Sequence, residues 1–234
     1  MTILSPWSLS RRVRRRKPTA PEHIALAEAF AHIIPWVRIF LTELAANNTR
    51  QWFTDNKTRY QTQLKTPAQL LQEQLRADLS QSTGSMVSAK LFRPHRDVRF
   101  SKDKTPYHCH LHMQWLIPGS SDFGLFLGIS PTYCRIGGGV MGFDKPQLIR
   151  WRTAIDDDYG DALSTQLENL AHHHFTPDSP ELKRVPAPYG KDHPQETLLR
   201  RKSLSVWRDL PETQWPQLQT SLSSEFSQLM PLRD

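Results

Sequence analysis

Cysteine is scarce in this chain, since its 234 residues include only Cys109 and Cys134. Two cysteines without a CxxC spacing form no disulfide framework, which excludes a small disulfide-stabilised scaffold and fits a reducing compartment. We therefore expect a cytoplasmic protein. A chain of this length can form one substantial hydrophobic core without disulfides or a structural metal.

Long apolar runs are also missing. The best one, residues 123–129, has the length of a strand and falls far short of the roughly 18 residues that cross a bilayer. The N-terminal apolar residues precede the basic run instead of following it, which is not the pattern of a secretory signal. Neither membrane insertion nor secretion is predicted.

Acidic residues are absent from residues 1–20, which carry a charge of +6, although the whole chain has a net charge of only +7. A second basic segment, residues 90–104, carries +4, and the rest of the chain sums to −3. The high charge is therefore local. We expect residues 1–34 to form a basic, disordered extension, in which residues 11–17 are candidate contacts for nucleic-acid phosphates.

The hydrophobic period changes along the chain. Apolar residues at helical spacing predict helices over residues 35–46 and 68–79. Between them, Asn48 with Gln51 three residues later has the spacing of a capping box, so Asn48 is the predicted N-cap of an intervening helix. An N-terminal group of helices is the result.

Strict alternation then predicts strands at residues 111–117, 123–129 and 133–136. Further elements are predicted as helices over 146–154, 159–171 and 218–229 and as an edge strand over 203–207. Helices first, strands next and helices last is an α+β order. We predict a single α+β domain over residues 35–234, with N-terminal helices, a central, mainly antiparallel sheet and C-terminal helices.

The densest cluster of chemically capable side chains is F-R-P-H-R-D-V-R-F-S-K-D-K-T-P-Y at residues 92–107. In an extended segment Asp97 and Arg99 share a face, so the carboxylate can orient the guanidinium for bidentate binding of phosphate or carboxylate. Ser101 and Asp103 suit a polar turn. These residue types indicate an anion site and, equally, a salt-bridge network that staples a loop.

Residues 96–107, R-D-V-R-F-S-K-D-K-T-P-Y, resemble the signature of the domain of unknown function 2461 family, proteins of bacteria and fungi with no established activity. Other segments resemble that family in the expected order, namely N-N-T-R-Q-W-F at 47–53, Asn56, Tyr60, G-G-G at 137–139, L-K-R-V-P at 182–186, H-P at 193–194 and Lys202. The resemblance runs from about residue 40 to the C-terminus. It implies one domain and no particular reaction.

Three consecutive glycines, residues 137–139, are followed by Asp144 at a predicted helix start. We interpret them as a turn, either one that only glycine tolerates or one in which the N–H groups of Gly138 and Gly139 point at an anion. A second set of side chains can converge on the same place, namely Lys183, Arg184, His193 and Lys202.

His108, His110 and His112 alternate on a predicted strand, which is the spacing of strand-borne zinc ligands. Because no ligand from another element can be assigned, a solvent-facing polar row is the favoured interpretation, and no metal site is predicted. Cys109 has no feature of an activated nucleophile beyond the neighbouring histidines. No cofactor is assigned.

The favoured hypothesis is a site for a small phosphorylated or carboxylated ligand, and the sequence leaves open whether the protein is an enzyme. Asp97 and Asp103 are candidate catalytic residues, acting as acid, base or metal ligand. The candidate ligand-binding residues are Arg96, Arg99, Ser101, Lys104, Tyr107, Gly138, Gly139, Lys183, Arg184, His193 and Lys202.

Two other functions remain open at this point. One is a nucleic-acid-associated module, in which bases stack on Trp52, Phe53 or Tyr107. The other is a non-catalytic structural or interaction protein, in which residues 96–107 are an internal staple. The substrate and the oligomeric state are left open.

Overall fold

A computed structural model describes residues 30–119 and 121–233. Residues 1–29, which include the basic residues 11–17, lie outside it. Phe30, Ile33 and Ile34 are buried in the hydrophobic core. The packed part of the chain therefore begins before the predicted start at residue 35.

Helices lie at both ends of the described chain. The N-terminal group consists of α1 (Ile33–Ala46), α2 (Arg50–Asp55), α3 (Lys57–Arg59), a π-helical segment (Tyr60–Lys65) and α4 (Thr66–Thr83). The C-terminal group consists of α5 (Lys145–Asp156), α6 (Tyr159–His172), α7 (Glu196–Leu199) and α8 (Leu218–Leu229), with 3-10 turns at Glu212–Gln217 and Met230–Leu232. The helices predicted from periodicity are confirmed. Among the described residues, none of these helices combines the length and apolarity that a membrane crossing needs.

Between the helical groups the chain forms most of one sheet. Its strands are β1 (Ser88–Leu91), β2 (Leu111–Ile117), β3 (Phe123–Ile129), β4 (Cys134–Val140), β5 (Thr176–Pro177) and β6 (Leu204–Asp209). The six strands lie in the order β1-β2-β3-β4-β6-β5, and neighbouring strands are antiparallel. The predicted α+β architecture is confirmed.

The predicted edge strand at residues 203–207 is wrong in position. It corresponds to β6, which lies between β4 and β5. The edge on this side of the sheet is β5, Thr176–Pro177, a pair too short to produce a periodic signal in the sequence. Pro177 is acceptable there because an edge strand leaves one side of its backbone unpaired.

The predicted cap of α2 is also wrong. Thr49, not Asn48, is the N-cap, and its Oγ1 accepts the N–H of Trp52 at 3.2 Å. Asn48 is not available as a cap because its side chain binds the backbone of Tyr107 in the loop before β2. The loop therefore competes successfully with the helix for this amide.

One face of the sheet packs against helices. Trp115 of β2 is fully buried, its Nε1 donates to the Gln72 carbonyl of α4 at 3.0 Å, and its ring centroid lies 5.4 Å from that of Phe226 in α8. Leu125 and Ile136 lie on the same face and are also fully buried. Burial of such side chains contributes about 1.5–3 kcal/mol each, so this face carries the core.

Gly137, Gly138 and Gly139 lie inside β4, so the predicted glycine turn is wrong. The strand continues because β6 approaches it closely. Gly139 has φ +138°, and a Cβ there would lie 2.0 Å from the carbonyl oxygen of Leu204. Only glycine adopts that conformation at that distance.

Candidate functional site

The segment predicted to carry the chemistry is the connection between β1 and β2. Its two arms run side by side, since the N–H of Arg96 donates to the Pro106 carbonyl at 2.9 Å and the N–H of His108 donates to the Pro94 carbonyl at 2.7 Å. We call residues 94–108 the motif loop. Its backbone is self-paired, which fixes the positions of the charged side chains between the arms.

Arg96 holds the motif loop together. Its Nη1 donates to the Asp103 carboxylate, the Thr105 hydroxyl and the Thr105 carbonyl, and its Nη2 lies 3.5 Å from Ser101 Oγ. The Arg96 side chain is 20% exposed. The donors of this guanidinium are thus largely used within the loop, as an internal staple requires.

Asp103 and Asp97 are both held in the ionised form. The N–H of Thr105, then Arg96 and the Thr105 hydroxyl, lower the pKa of Asp103 to about 2. Hydrogen bonds from the side chain and N–H of Arg99 lower the pKa of Asp97. Such carboxylates are weak bases at neutral pH, far from the pKa near 7 that suits proton transfer. Their catalytic role stays a prediction.

Arg99 and Lys104 lie on the outside of the motif loop. Arg99 binds Asp97 through Nε at 3.0 Å and Nη2 at 2.7 Å, while 77% of its side chain is exposed. Lys104 Nζ donates to the Val98 carbonyl at 3.0 Å. The predicted pairing of Asp97 with Arg99 is confirmed, and anion binding by Arg99 and Lys104 stays a prediction.

Tyr107 is part of the packing. It is buried, and its ring stacks on that of Phe53 with 4.1 Å between centroids. Trp52 packs against Phe40, with ring centroids 5.4 Å apart. Phe53 and Tyr107 are buried against each other, so neither ring is exposed for a nucleic-acid base. Base stacking on the partly buried Trp52 stays a prediction.

The structure does not bring the second set of cations to the motif loop. Lys202 lies just before β6, which begins beside the end of β4, where Leu204 pairs with Val140. The motif loop precedes β2, which begins beside the end of β3, where Leu111 pairs with Ile129. Since β3 and β4 are antiparallel, the two places lie at opposite ends of the sheet.

Lys183, Arg184 and His193 belong to the same distant region as Lys202. The segment 181–184 is tied to it, because Glu181 accepts the N–H of Lys202 at 2.8 Å. Lys183 and Arg184 are exposed, and His193 Nε2 lies 3.1 Å from Asp156 Oδ1. Their ligand-binding role stays a prediction, but it concerns a separate surface.

Gly138 and Gly139 do not form an anion-binding turn. Both pair with β3 on one side and β6 on the other, so their backbone groups belong to sheet ladders. Gly138 lies on the packed face, where a Cβ would meet Leu229 at 3.0 Å. Asp144 does begin α5, with a capping box formed with Gln147.

The three histidines lie side by side. The ring centroids of His108 and His110 are 4.7 Å apart, and those of His110 and His112 are 3.9 Å apart. Burial first, and then the neighbouring histidines, lower the pKa of His112 to about 4. Its Nε2 is 2.9 Å from the Tyr133 hydroxyl. Within the described residues no group of three His, Cys, Asp or Glu side chains could hold a metal.

The second face of the sheet carries a cavity whose lining residues were not among the predicted site residues. Gly124 and Gly128 of β3 pair with Gly139 and Arg135 of β4, and Gly137 lies between the latter two in β4. We call this the glycine face. The glycines let neighbouring aromatic rings lie close to the sheet, and a cavity of about 690 Å³ lies over the face. Volumes of this size are typical of small-molecule sites.

Six side chains give the cavity its chemistry: His112, Phe126, Tyr133, Arg135, Asp178 and Trp207. Arg135 Nε donates to Asp209 Oδ1 at 2.9 Å. Among the described residues this is the one hydrogen bond of the Arg135 side chain, which leaves both Nη groups for a ligand. Aromatic walls with few polar groups favour an organic molecule over a bare ion.

One signal in the sequence could have indicated this face. Gly124 and Gly128 of β3 and Gly137 and Gly139 of β4 alternate with core residues such as Leu125 and Ile136, so they lie on the other face of the sheet. Glycine weakens a strand interior and marks a close approach by a ring, a backbone or a ligand. The pairing of the two strands, which aligns these glycines, is visible only in three dimensions.

The described fold defines a single antiparallel sheet with helices from both ends of the chain. The chain belongs to the family described as "Conserved hypothetical protein (DUF2461)", which it matches over residues 37–234. The resemblance seen in residues 96–107 is thereby confirmed over nearly the whole described chain. No curated protein and no solved structure matches it.

Proposed function

We propose that the protein binds a small organic anion in the cavity over the glycine face. The observation that carries this proposal is Arg135, whose two Nη groups have no hydrogen-bond partner among the described residues and which lines a cavity of about 690 Å³. A guanidinium with two available amino groups binds phosphate or carboxylate in bidentate fashion. Arg135 thus supplies the charge, and the rings supply the apolar contact.

The motif loop has a supporting role in this proposal. Arg96, Asp103 and Thr105 are hydrogen-bonded to one another, so little of their binding capacity remains for a ligand. The histidine row joins the loop to the cavity, because His112 lines the cavity and lies beside His110. The loop therefore stabilises the wall of the site.

His112 can serve the cavity as a neutral hydrogen-bonding group. Its lowered pKa keeps the imidazole neutral at pH 7, so the ring can donate its N–H to a ligand or accept a hydrogen bond from it. Tyr133, whose pKa is raised mainly by burial, stays protonated beside it. We expect both side chains to orient the bound molecule.

A thermal-shift screen with inorganic phosphate, citrate, glucose 6-phosphate and AMP tests the proposal. We expect at least one compound to stabilise the protein and the effect to disappear in Arg135→Gln. Arg76→Gln is the matched control, because Arg76 also forms a partly exposed ion pair, with Glu73 at 3.0 Å. If the stabilisation were lost in Arg99→Gln but kept in Arg135→Gln, the anion site would lie in the motif loop. If no compound stabilised the protein, an anion site at either place would be contradicted.

A second candidate function has its own supporting observation. Phe100, near the middle of the motif loop, is 95% exposed, and the Arg99 guanidinium lies 5.9 Å from its ring centroid. An exposed ring beside Arg99 and Lys102 suits single-stranded nucleic acid, in which bases stack and phosphates bind cations. Residues 11–17 would add phosphate contacts.

Fluorescence anisotropy with a labelled oligo-dT of 20 nucleotides tests this candidate. Phe100→Ala should weaken binding by about fivefold or more, the loss of one stacked base. The full-length chain with Arg14, Arg15 and Arg16 changed to Gln should instead reduce the salt dependence. Binding that is unaffected by Phe100→Ala and abolished by the N-terminal changes would exclude the folded domain as the nucleic-acid reader.

A further inference from the structure

Aromatic rings lie over the glycines of the glycine face. A Cβ at Gly124 would be 2.3 Å from the Phe126 ring, and one at Gly137 would be 2.4 Å from the Trp207 indole. Each ring thus occupies the space that a side chain in place of the glycine would fill. Phe126 is buried, whereas Trp207 is only partly buried.

The two rings pack against each other. The centroids of Phe126 and Trp207 are 5.5 Å apart, and their planes are inclined by 35°, a tilted contact in which Phe126 supports the indole. Both rings line the cavity. Because Phe126 is buried and Trp207 only partly buried, the Trp207 indole is the ring on which a planar ligand can stack.

Trp207 is held in this orientation by hydrogen bonds. Its Nε1 donates to Asp178 Oδ2 at 2.9 Å, and Ser205 Oγ donates to the same oxygen at 2.7 Å. The indole is therefore oriented before a ligand arrives, which lowers the entropic cost of binding. Among the described contacts Asp178 Oδ1 has no donor, so it can accept an N–H from the edge of a ligand.

The charges complete the description of the ligand. Arg135 and Asp178 both line the cavity, and they require an anionic group and an N–H donor on the same molecule. We infer that the cavity binds a heteroaromatic ring that carries a phosphate or carboxylate, such as a mononucleotide, with the ring stacked on Trp207 and the anion on Arg135. This inference rests on the proposed function, since it specifies the ligand of the same site.

Isothermal titration with matched probes tests the inference. The probes are AMP, GMP, CMP, UMP and flavin mononucleotide, with ribose 5-phosphate as the anion that lacks a ring. We expect at least one mononucleotide to bind about tenfold more tightly than ribose 5-phosphate, the contribution of one stacked base. Trp207→Leu should weaken mononucleotide binding about tenfold more than ribose 5-phosphate binding, so that the difference between the two probes disappears.

A second variant distinguishes loss of stacking from loss of folding. Trp207→Phe keeps a π-face but removes the donor to Asp178, so it should retain most of the preference for mononucleotides, and urea unfolding of each variant verifies the fold. If ribose 5-phosphate binds through Arg135 but no mononucleotide binds more tightly, the inference is overturned while the proposed function stands. If none of the probes binds, both are overturned.

The same face could instead contact a second copy of the chain. Sedimentation velocity over a concentration series, with and without AMP, distinguishes the two occupants. A monomer throughout supports the small-molecule ligand. A dimer that dissociates in Trp207→Leu would place the second copy on the glycine face and overturn the inference.

Discussion

Asn48 and Tyr107 exchange two hydrogen bonds: Asn48 Nδ2 donates to the Tyr107 carbonyl at 2.9 Å, and the Tyr107 N–H donates to Asn48 Oδ1 at 3.1 Å. The amide side chain thus pairs with the loop backbone as a neighbouring strand would. Together with the stack of Tyr107 on Phe53, it joins the motif loop to the N-terminal helices.

Replacing Asn48 tests how much this pairing stabilises the protein. In Asn48→Ala the N–H and carbonyl of Tyr107 lose their partners in a partly buried place, which should lower the free energy of unfolding by about 1–3 kcal/mol. Urea denaturation measures the change. Asn47→Ala is the control, since Asn47 makes one exposed bond to the Glu43 carbonyl; an equal effect of both variants would contradict the pairing.

Arg96 and Arg99 should differ in their effect on stability. Arg96 is enclosed by Asp103 and Thr105, whereas Arg99 forms an exposed pair with Asp97. Exposed pairs contribute little. We therefore expect Arg96→Met to lower the melting temperature by several degrees and Arg99→Met to leave it nearly unchanged. A large loss of stability in Arg99→Met would mean that the exposed pair, and not Arg96, is the staple.

Alternation predicted β2 correctly because Leu111, Met113, Trp115 and Ile117 all face one continuous core. The position of β6 was not predictable in this way, since its outer partner, Thr176–Pro177, is only two residues long. Local patterns report which side of an element is buried. They do not report which elements are neighbours.

The motif loop and the glycine face differ in the same respect. Asp97 and Arg99 are two residues apart, so their pairing followed from local geometry. The cavity is lined by residues of separate strands, among them Gly128 of β3, Arg135 of β4 and Trp207 of β6. Charged residues can be recognised in the sequence by their type. The residues around the cavity can be recognised as neighbours only when the strands are aligned.

Arg208 and Glu225 form a buried ion pair at 2.8 Å, with 10% and 5% of their side chains exposed. Removing one partner leaves the other charge without compensation in the core. Glu225→Ala should therefore lower the free energy of unfolding by about 3–5 kcal/mol. The double variant Arg208→Met with Glu225→Leu should recover much of this loss, as measured by urea denaturation.

The control for this pair is the exposed bridge between Arg135 and Asp209, in which 54% and 70% of the side chains are exposed. Asp209→Ala should lower the free energy of unfolding by less than about 1 kcal/mol. If Glu225→Ala proved no more destabilising than Asp209→Ala, the buried pair would not have the role assigned to it.

His112 should make stability depend on pH. Its pKa is about 4 in the folded chain against an ordinary value of 6.5, so the unfolded chain binds more protons between these values. Stability is therefore complete above about pH 6.5 and decreases as the pH falls towards 4. His108 and His110, whose pKa values are also lowered by burial, act in the same direction.

Urea denaturation from pH 7.5 to 5 measures this dependence. His112→Gln should reduce the slope of the free energy of unfolding against pH, because the variant lacks the proton that the unfolded chain takes up. An NMR titration of the imidazole resonances provides the direct control. A His112 ring that titrates near 6.5 in the folded protein would contradict the assignment.

Gly139 should be the least replaceable glycine of β4. With φ +138° and a Cβ position 2.0 Å from the Leu204 carbonyl oxygen, alanine there must either push β6 away or leave its own strand conformation. Both break the pairing of β4 with β6, so Gly139→Ala should lower the free energy of unfolding by more than about 3 kcal/mol. At Gly142 an added Cβ meets nothing within 4 Å, so Gly142→Ala should melt close to the parent protein. Thermal unfolding followed by circular dichroism compares the two, and a Gly139→Ala variant as stable as Gly142→Ala would require a different approach of β6 to β4.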